Sequence, residues 1–170
     1  MAEDMNPLEE LLQDELKDLY SAENQIIKAL PRMAKAATSP ELKRAFERHL
    51  EETRRQVERL EAIGEELELK LTGKKCVGME GLIKEAKELI SERPDPDVLD
   101  AGLIAAAQHV EHYEMAGYGT MRTYARLLGF NDQADLLQQT LDEEGEMDKL
   151  LTELAERMIN LEAVNPEEEE

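Results

Sequence analysis

Three times in this sequence a capping side chain is followed at once by proline: Asn6-Pro7, Ser39-Pro40 and Asp95-Pro96. The capping oxygen takes a backbone N–H at the start of a helix, and proline fits best in the first turn, where its missing N–H is not needed. Each pair therefore predicts a helix that begins there and runs forward. In Asn6-Pro7-Leu8-Glu9 an acidic residue also stands at the capping-box position. A fourth signal, Gly129-Phe130-Asn131-Asp132, joins a glycine stop to a cap for the next helix. These marks predict helices over 7–37, 40–70, 96–128 and 132–160, with Pro31 kinking the last turns of the first. Strand signals are nearly absent: aromatics are 4% and no long run alternates apolar with polar. The long connection over 71–95 holds a short amphipathic helix, about 79–91, with Leu82, Ile83, Ala86, Leu89 and Ile90 on one side. Four long helices joined by one long crossover predict an all-α, ferritin-like four-helix bundle with a short extra helix in that crossover.

A chain of 170 residues makes one such domain, over 1–162, and 163–170 reads as an acidic disordered tail. The net charge of −20 excludes the function classes that need a cationic face. Nucleic acid is a polyanion held by Lys and Arg, and an anionic membrane surface needs the same residues. No apolar run approaches the length of a spanning helix. The acidic start MAEDMNPLEE is not a secretory or transit signal, and the single cysteine, Cys76, allows no internal disulfide. A cytoplasmic location is the expectation. Cys76, in the loop-like KKCVGM segment, reads as a spectator.

The informative residues are charged ones that fall on apolar stripes. At about 100° per residue, Leu8, Leu12, Leu19, Ile26 and Leu30 set the inward face of the first helix, and Glu15 and Glu23 lie close to its centre. On the third long helix the stripe is Ile104, Ala107, Tyr118, Met121 and Ala125, with Glu111 and Glu114 in its middle. On the fourth it is Leu137, Leu141, Leu151, Ala155 and Met158, with Glu144 at the centre and Asp148 one turn on. On the second, Leu42, Phe46, Leu50, Thr53, Val57 and Leu60 form the stripe. His49 and Glu52 share one flank of it, while Glu51 and Arg54 point away. Tyr118, Met121 and Met158 read as ordinary core, and His49 and His112 as residues that are more often hydrogen-bonded structural histidines than ligands. One inward glutamate is commonly explained by an arginine partner or the edge of the bundle. Four or more inward acids on three helices call for a shared partner, since an unpaired buried carboxylate is costly. Divalent cations are the known partner in helical bundles.

At these residues the chain resembles a family. LKDLYSAENQIIKAL, RHLEETRRQVERLE, CVGMEGLIKEA, DAGLIAAAQHVEHYEMAGYGT and LLQQTLDEEGEMDKL resemble segments of the bacterial YciF-like stress proteins, which are ferritin-like. The resemblance covers about residues 8–158. It implies a homodimeric bundle with a rubrerythrin-like site for two iron or manganese ions. Residue by residue, it places Glu23, Glu111, Glu114, Glu144 and Asp148 at the metals; the match weakens on the second helix, where His49 and Glu52, which share a flank, are the candidates. That helix departs from the pattern, because Glu51 is followed by Arg54 and Glu52 by Gln56 where a histidine is usual. Gly145 and Met147 also depart from it. Two functions are consistent with this: a centre that handles Fe(II), O2 or peroxide, or a non-catalytic bundle of the stress response with a degenerate site. A ferritin storage shell needs many subunits and does not fit a dimer. The crossover helix, whose apolar face needs cover, is a candidate dimer surface.

Overall fold

The computed structural model describes residues 6–164. Its helices are α1 (Pro7–Ala36), α2 (Pro40–Glu66), α3 (Val77–Glu92), α4 (Pro96–Leu127), α5 (Asn131–Leu154) and a short α6 (Asn160–Val164). A π-helical turn, Ala155–Ile159, joins the last two. No strand occurs among the described residues. The three cap-proline signals act as expected. Asn6 Oδ1 accepts the Leu8 N–H at 2.9 Å, Ser39 Oγ that of Leu42 at 3.3 Å, and Asp95 Oδ1 that of Asp97 at 3.0 Å. Helix α1 runs on past Pro31 to Ala36.

Short turns pair α1 with α2 and α4 with α5. Contacts of α1 with α4 and of α2 with α5 close the square, a ferritin-like helical bundle. The crossover helix α3 lies against α1 and α4. Its apolar side, Met79, Ile83 and Ala86, is buried there. Leu82, Leu89 and Ile90 on the same side are only half-buried.

Cys76 is not a spectator. It is fully buried at the start of α3, and its Sγ accepts the Met79 N–H at 3.4 Å. Tyr113 of α4 gives its one hydroxyl hydrogen to Asp18 Oδ2 of α1, at 2.8 Å. The Cys76 thiol, 3.0 Å from that hydroxyl oxygen, is therefore the donor to it. Ser21 Oγ accepts the Cys76 N–H at 2.9 Å, and Gln25 donates to the Cys76 carbonyl at 3.0 Å. One knot thus fixes the entry of α3 to both α1 and α4.

Other boundaries move by a few residues. Helix α2 stops at Glu66 rather than 70, because Glu68 turns left-handed at φ 52° and the Leu69 N–H bonds back to the Gly64 carbonyl at 2.7 Å. Gly129 at φ 84° does end α4, but Phe130, without a side-chain cap, occupies the N-cap position of α5. The Asn131-Asp132 cap is not used. The π turn takes an extra residue, which rotates the face beyond it. Ile159 is buried there and Met158 only half-buried, the reverse of the expected stripe. Helix α6 carries the bundle to Val164, beyond 162, and the remaining acidic tail at 165–170 lies outside the described residues. No described helix is long and apolar enough to cross a membrane.

The buried apolar side chains form two clusters. Leu12, Leu16, Leu19, Leu60, Ile63, Tyr118, Met121 and Leu137 belong to one. Ile26, Leu30, Phe46, Met79, Leu103, Ala107, Met147 and Leu151 belong to the other. Along α1, α2, α4 and α5 the change from one cluster to the other falls at the same level, and the acidic residues occupy it.

Candidate metal centre

Each helix of the square reaches this level with an inward polar residue. Glu23 comes from α1, His49, Glu52, Thr53 and Gln56 from α2, Glu111 and Glu114 from α4, and Thr140 and Glu144 from α5; all are buried. The i and i+3 spacing of Glu111 and Glu114 stacks them on one side of α4, as Ile104, Ala107, Tyr118 and Met121 require. His49, Glu111, Glu114 and Glu144 each bring a ligand atom to within 4.8 Å of those of the others. His49 Nε2 is 3.0 Å from Glu111 Oε1 without the alignment of a hydrogen bond. Both imidazole nitrogens, both oxygens of Glu111 and of Glu114, and Glu144 Oε2 are buried with no hydrogen-bond partner.

Burial is the main force on these acids. It raises the Glu23 carboxyl to about 7, with Glu144 adding to the rise and Glu114, Tyr118 and His49 opposing it. Glu111 is pushed up to about 8, again by burial first, with Glu23, Asp148 and Glu52 adding to it and Glu144 opposing. Burial and then the charges of Glu144 and Glu23 hold Glu114 well above the carboxylate range. Burial and then Glu111 do the same to Glu144. Neutral pH therefore finds protons held within the cluster.

The other expected ligands stand around this cluster with partners of their own. Glu23 is fully buried beside Glu114; its Oε1 accepts the Tyr118 hydroxyl, and its Oε2 has no partner. Glu52 is buried on the flank shared with His49, and its Oε1 accepts from Arg48 Nε at 2.8 Å. Asp148 is half-buried, accepts from Gln108 at 3.2 Å and sits 3.3 Å from His112 Nε2. Glu23, Glu52 and Asp148 all lie outside the group of converging ligand atoms. Glu15, near the centre of the α1 stripe by angle, is only half-buried and lies outside the group. Glu51 and Arg54 face outward and pair with each other, as their spacing implied.

Two features were not read as part of the site. Gln56, where a histidine is usual, is fully buried and donates from Nε2 to Glu144 Oε1 and, at 3.1 Å, to Glu143 Oε2. Glu143 is in turn gripped by Arg59 at 2.7 and 2.6 Å. Burial raises the Glu143 carboxyl, but these hydrogen bonds outweigh it and hold the group below its usual range. The i+4 spacing from Glu52 put Gln56 on the inward flank, so its burial was legible; its cross-helix partners were not.

The residues fit a cation. Three carboxyls and an imidazole, desolvated together and short of donors, form an O3N set that suits divalent iron or manganese. Any such ion must displace the protons the cluster holds.

The chain matches the family described as Domain of unknown function (DUF892) over residues 7–164. It is 48% identical over 162 residues to protein YciF of Escherichia coli (strain K12), covering 95% of this chain and 98% of that protein. The crystal structure of the E. coli stress protein YciF superposes with a TM-score of 0.87 at 46% identity, over 96% of this chain and 100% of that one. YcfI from Rhodopseudomonas palustris gives 0.84 at 43% identity, covering 89% and 97%. A protein from Xanthomonas campestris pv. campestris gives 0.73 at 27%, covering 91% and 95%.

Proposed function

The chain belongs to the DUF892 family of YciF-like proteins, and from that premise we propose that it is a stress-response bundle whose buried cluster binds divalent iron or manganese. One observation carries the reading. His49, only 2% exposed, lies among three converging carboxyls with both nitrogens unpartnered. An imidazole so placed is a good ligand for a first-row metal.

His49, Glu111, Glu114 and Glu144 would hold the ion. Gln56 fixes the orientation of Glu144 through its amide, and Tyr118 fixes Glu23 through its hydroxyl. The two apolar clusters on either side keep bulk water out. Once bound, iron or manganese would supply redox chemistry toward O2 or peroxide. A homodimer and a cytoplasmic setting belong to the same reading. The resemblance supports the first, and a lone buried thiol suits a reducing compartment.

A second reading is favoured by the substitutions on α2. Gln56 where a histidine is usual, and Glu52 tied to Arg48, suit a bundle that keeps its acids without redox turnover. Metal-dependent melting tests the first reading against a bundle with no site. Added Mn(II), or Fe(II) without oxygen, is expected to raise the melting temperature of chelator-stripped protein by several degrees, and His49→Ala and Glu144→Ala to abolish the rise. No rise in the wild type, or an equal rise in both variants, would sink it.

A further inference from the structure

We infer that the cluster takes one divalent cation per chain, not the two that the ferritin-like resemblance implies. The inference rests on the cation-binding reading and concerns how many ligands this chain leaves free.

A dinuclear carboxylate centre in a helical bundle draws on about six side chains, a Glu from each of two helices and a Glu-x-x-His pair from each of the other two. Here the histidine positions fail on both helices that would supply them. On α5 the residue three beyond Glu144 is Met147, buried in the apolar cluster at 1% exposure. One residue further on, Asp148 already serves Gln108 and His112. On α2 the residue three beyond Glu52 is Arg55, which is exposed, and four beyond it is Gln56. The Gln56 amide donates to Glu144 and is anchored through Glu143 to Arg59, so it spends its hydrogens orienting one ligand. Its carbonyl is neutral and contributes no charge to a second position.

Of the carboxylates that would complete a second position, Glu52 is already committed. Arg48 holds Glu52 at 2.8 Å and approaches Glu146 at 3.9 Å, so a cation would have to compete with a guanidinium for it. Tyr118 holds Glu23. The inward hydroxyl of Thr53 is turned to its own helix, donating to the His49 carbonyl at 2.7 Å. His49, Glu111, Glu114 and Glu144 are the four side chains whose ligand atoms converge. That is a set for one ion. His49 lies three residues before Glu52 rather than three after it, so α2 supplies its imidazole to this single position.

Manganese reads both the number and the isolation of bound ions. Stripped full-length protein is equilibrated with excess Mn(II), freed of unbound metal, and assayed for manganese per chain and by electron paramagnetic resonance. The expected result is one Mn(II) per chain at saturation, with the six-line signal of a magnetically isolated ion. His49→Ala and the closer-shaped His49→Gln, each checked for helix content, should lose most of the bound manganese. Two ions per chain with an exchange-coupled spectrum would overturn the one-ion inference and leave the cation-binding reading standing. No bound manganese would overturn both. A single ion held equally well by folded His49 variants would overturn this ligand set.

Discussion

Each acid of the cluster was placed inward by its angle on one helix, and its titration follows from what that placement costs. Burial lifts Glu23 to about 7 and Glu111 to about 8, from 4.5 for a free glutamate. Between those limits the folded chain keeps protons that the unfolded chain has released. Unfolding free energy therefore falls as pH rises through this window, and levels off above the folded value. Chelator-stripped protein is expected to melt highest near about pH 5 and progressively lower toward about pH 8. Glu111→Gln removes one such group while keeping its shape, so its decline should be shallower and its melting temperature at the alkaline end higher. A wild type that melts no lower at the alkaline end, or a variant with the parent slope, contradicts this account. The same residues show how far one helix can be read alone. Angle identified Glu23, Glu111, Glu114 and Glu144, all fully buried. It could not show that Arg48 takes Glu52, or that Gln108 and His112 take Asp148, because those partners are settled by side-chain reach and by neighbouring helices.

Helix starts were legible wherever a capping oxygen stands next to proline, since both act within one turn. The start of α5 was legible to within one residue, but not its N-cap, Phe130, and nothing local announces the π turn at Ala155–Ile159. Helix α3 shows the same division: its amphipathic pattern was visible, its anchoring through Cys76 was not. Two glycines of α3 turn that anchoring into a test of opposite signs. A Cβ at Gly78 would lie 2.8 Å from Cε2 of Tyr113. That ring cannot easily move, because its hydroxyl is held by Asp18 and Cys76. A Cβ at Gly81 would meet nothing within 4 Å. Alanine in a helix gains about 0.5–1 kcal/mol over glycine, whereas overpacking costs about 1–3 kcal/mol. Gly81→Ala should therefore raise the urea midpoint slightly, and Gly78→Ala should lower it by a net loss on the order of 1 kcal/mol. Equal effects from the two substitutions would show that Tyr113 is free to move and the knot is loose.

The acidic layer lies between two apolar clusters, so the bundle is two hydrophobic cores joined across a level that is poorly satisfied without a cation. Opening of the middle turns of α2, α4 or α5 hydrates those acids, and so costs less than opening of an equally buried apolar turn. A cation that binds only the closed arrangement changes this. It adds RT ln(1 + [L]/Kd) to every opening that breaks the site, about 2.7 kcal/mol at a hundredfold excess over Kd, and nothing to openings that spare it. Hydrogen exchange of the backbone resolves the two kinds. With manganese at that excess, amides around His49–Gln56, Glu111–Glu114 and Thr140–Glu144 should exchange roughly a hundredfold more slowly. Amides that exchange by fraying, in the first turn of α1 and along α6, should be unchanged. Amides that exchange only by global unfolding should slow as much as the layer. Before metal is added they should already be the slower set, because the layer opens first. Two outcomes would rule out a weak joint closed by a cation: metal-free exchange in the layer as slow as in the clusters, or slowing confined to the helix ends.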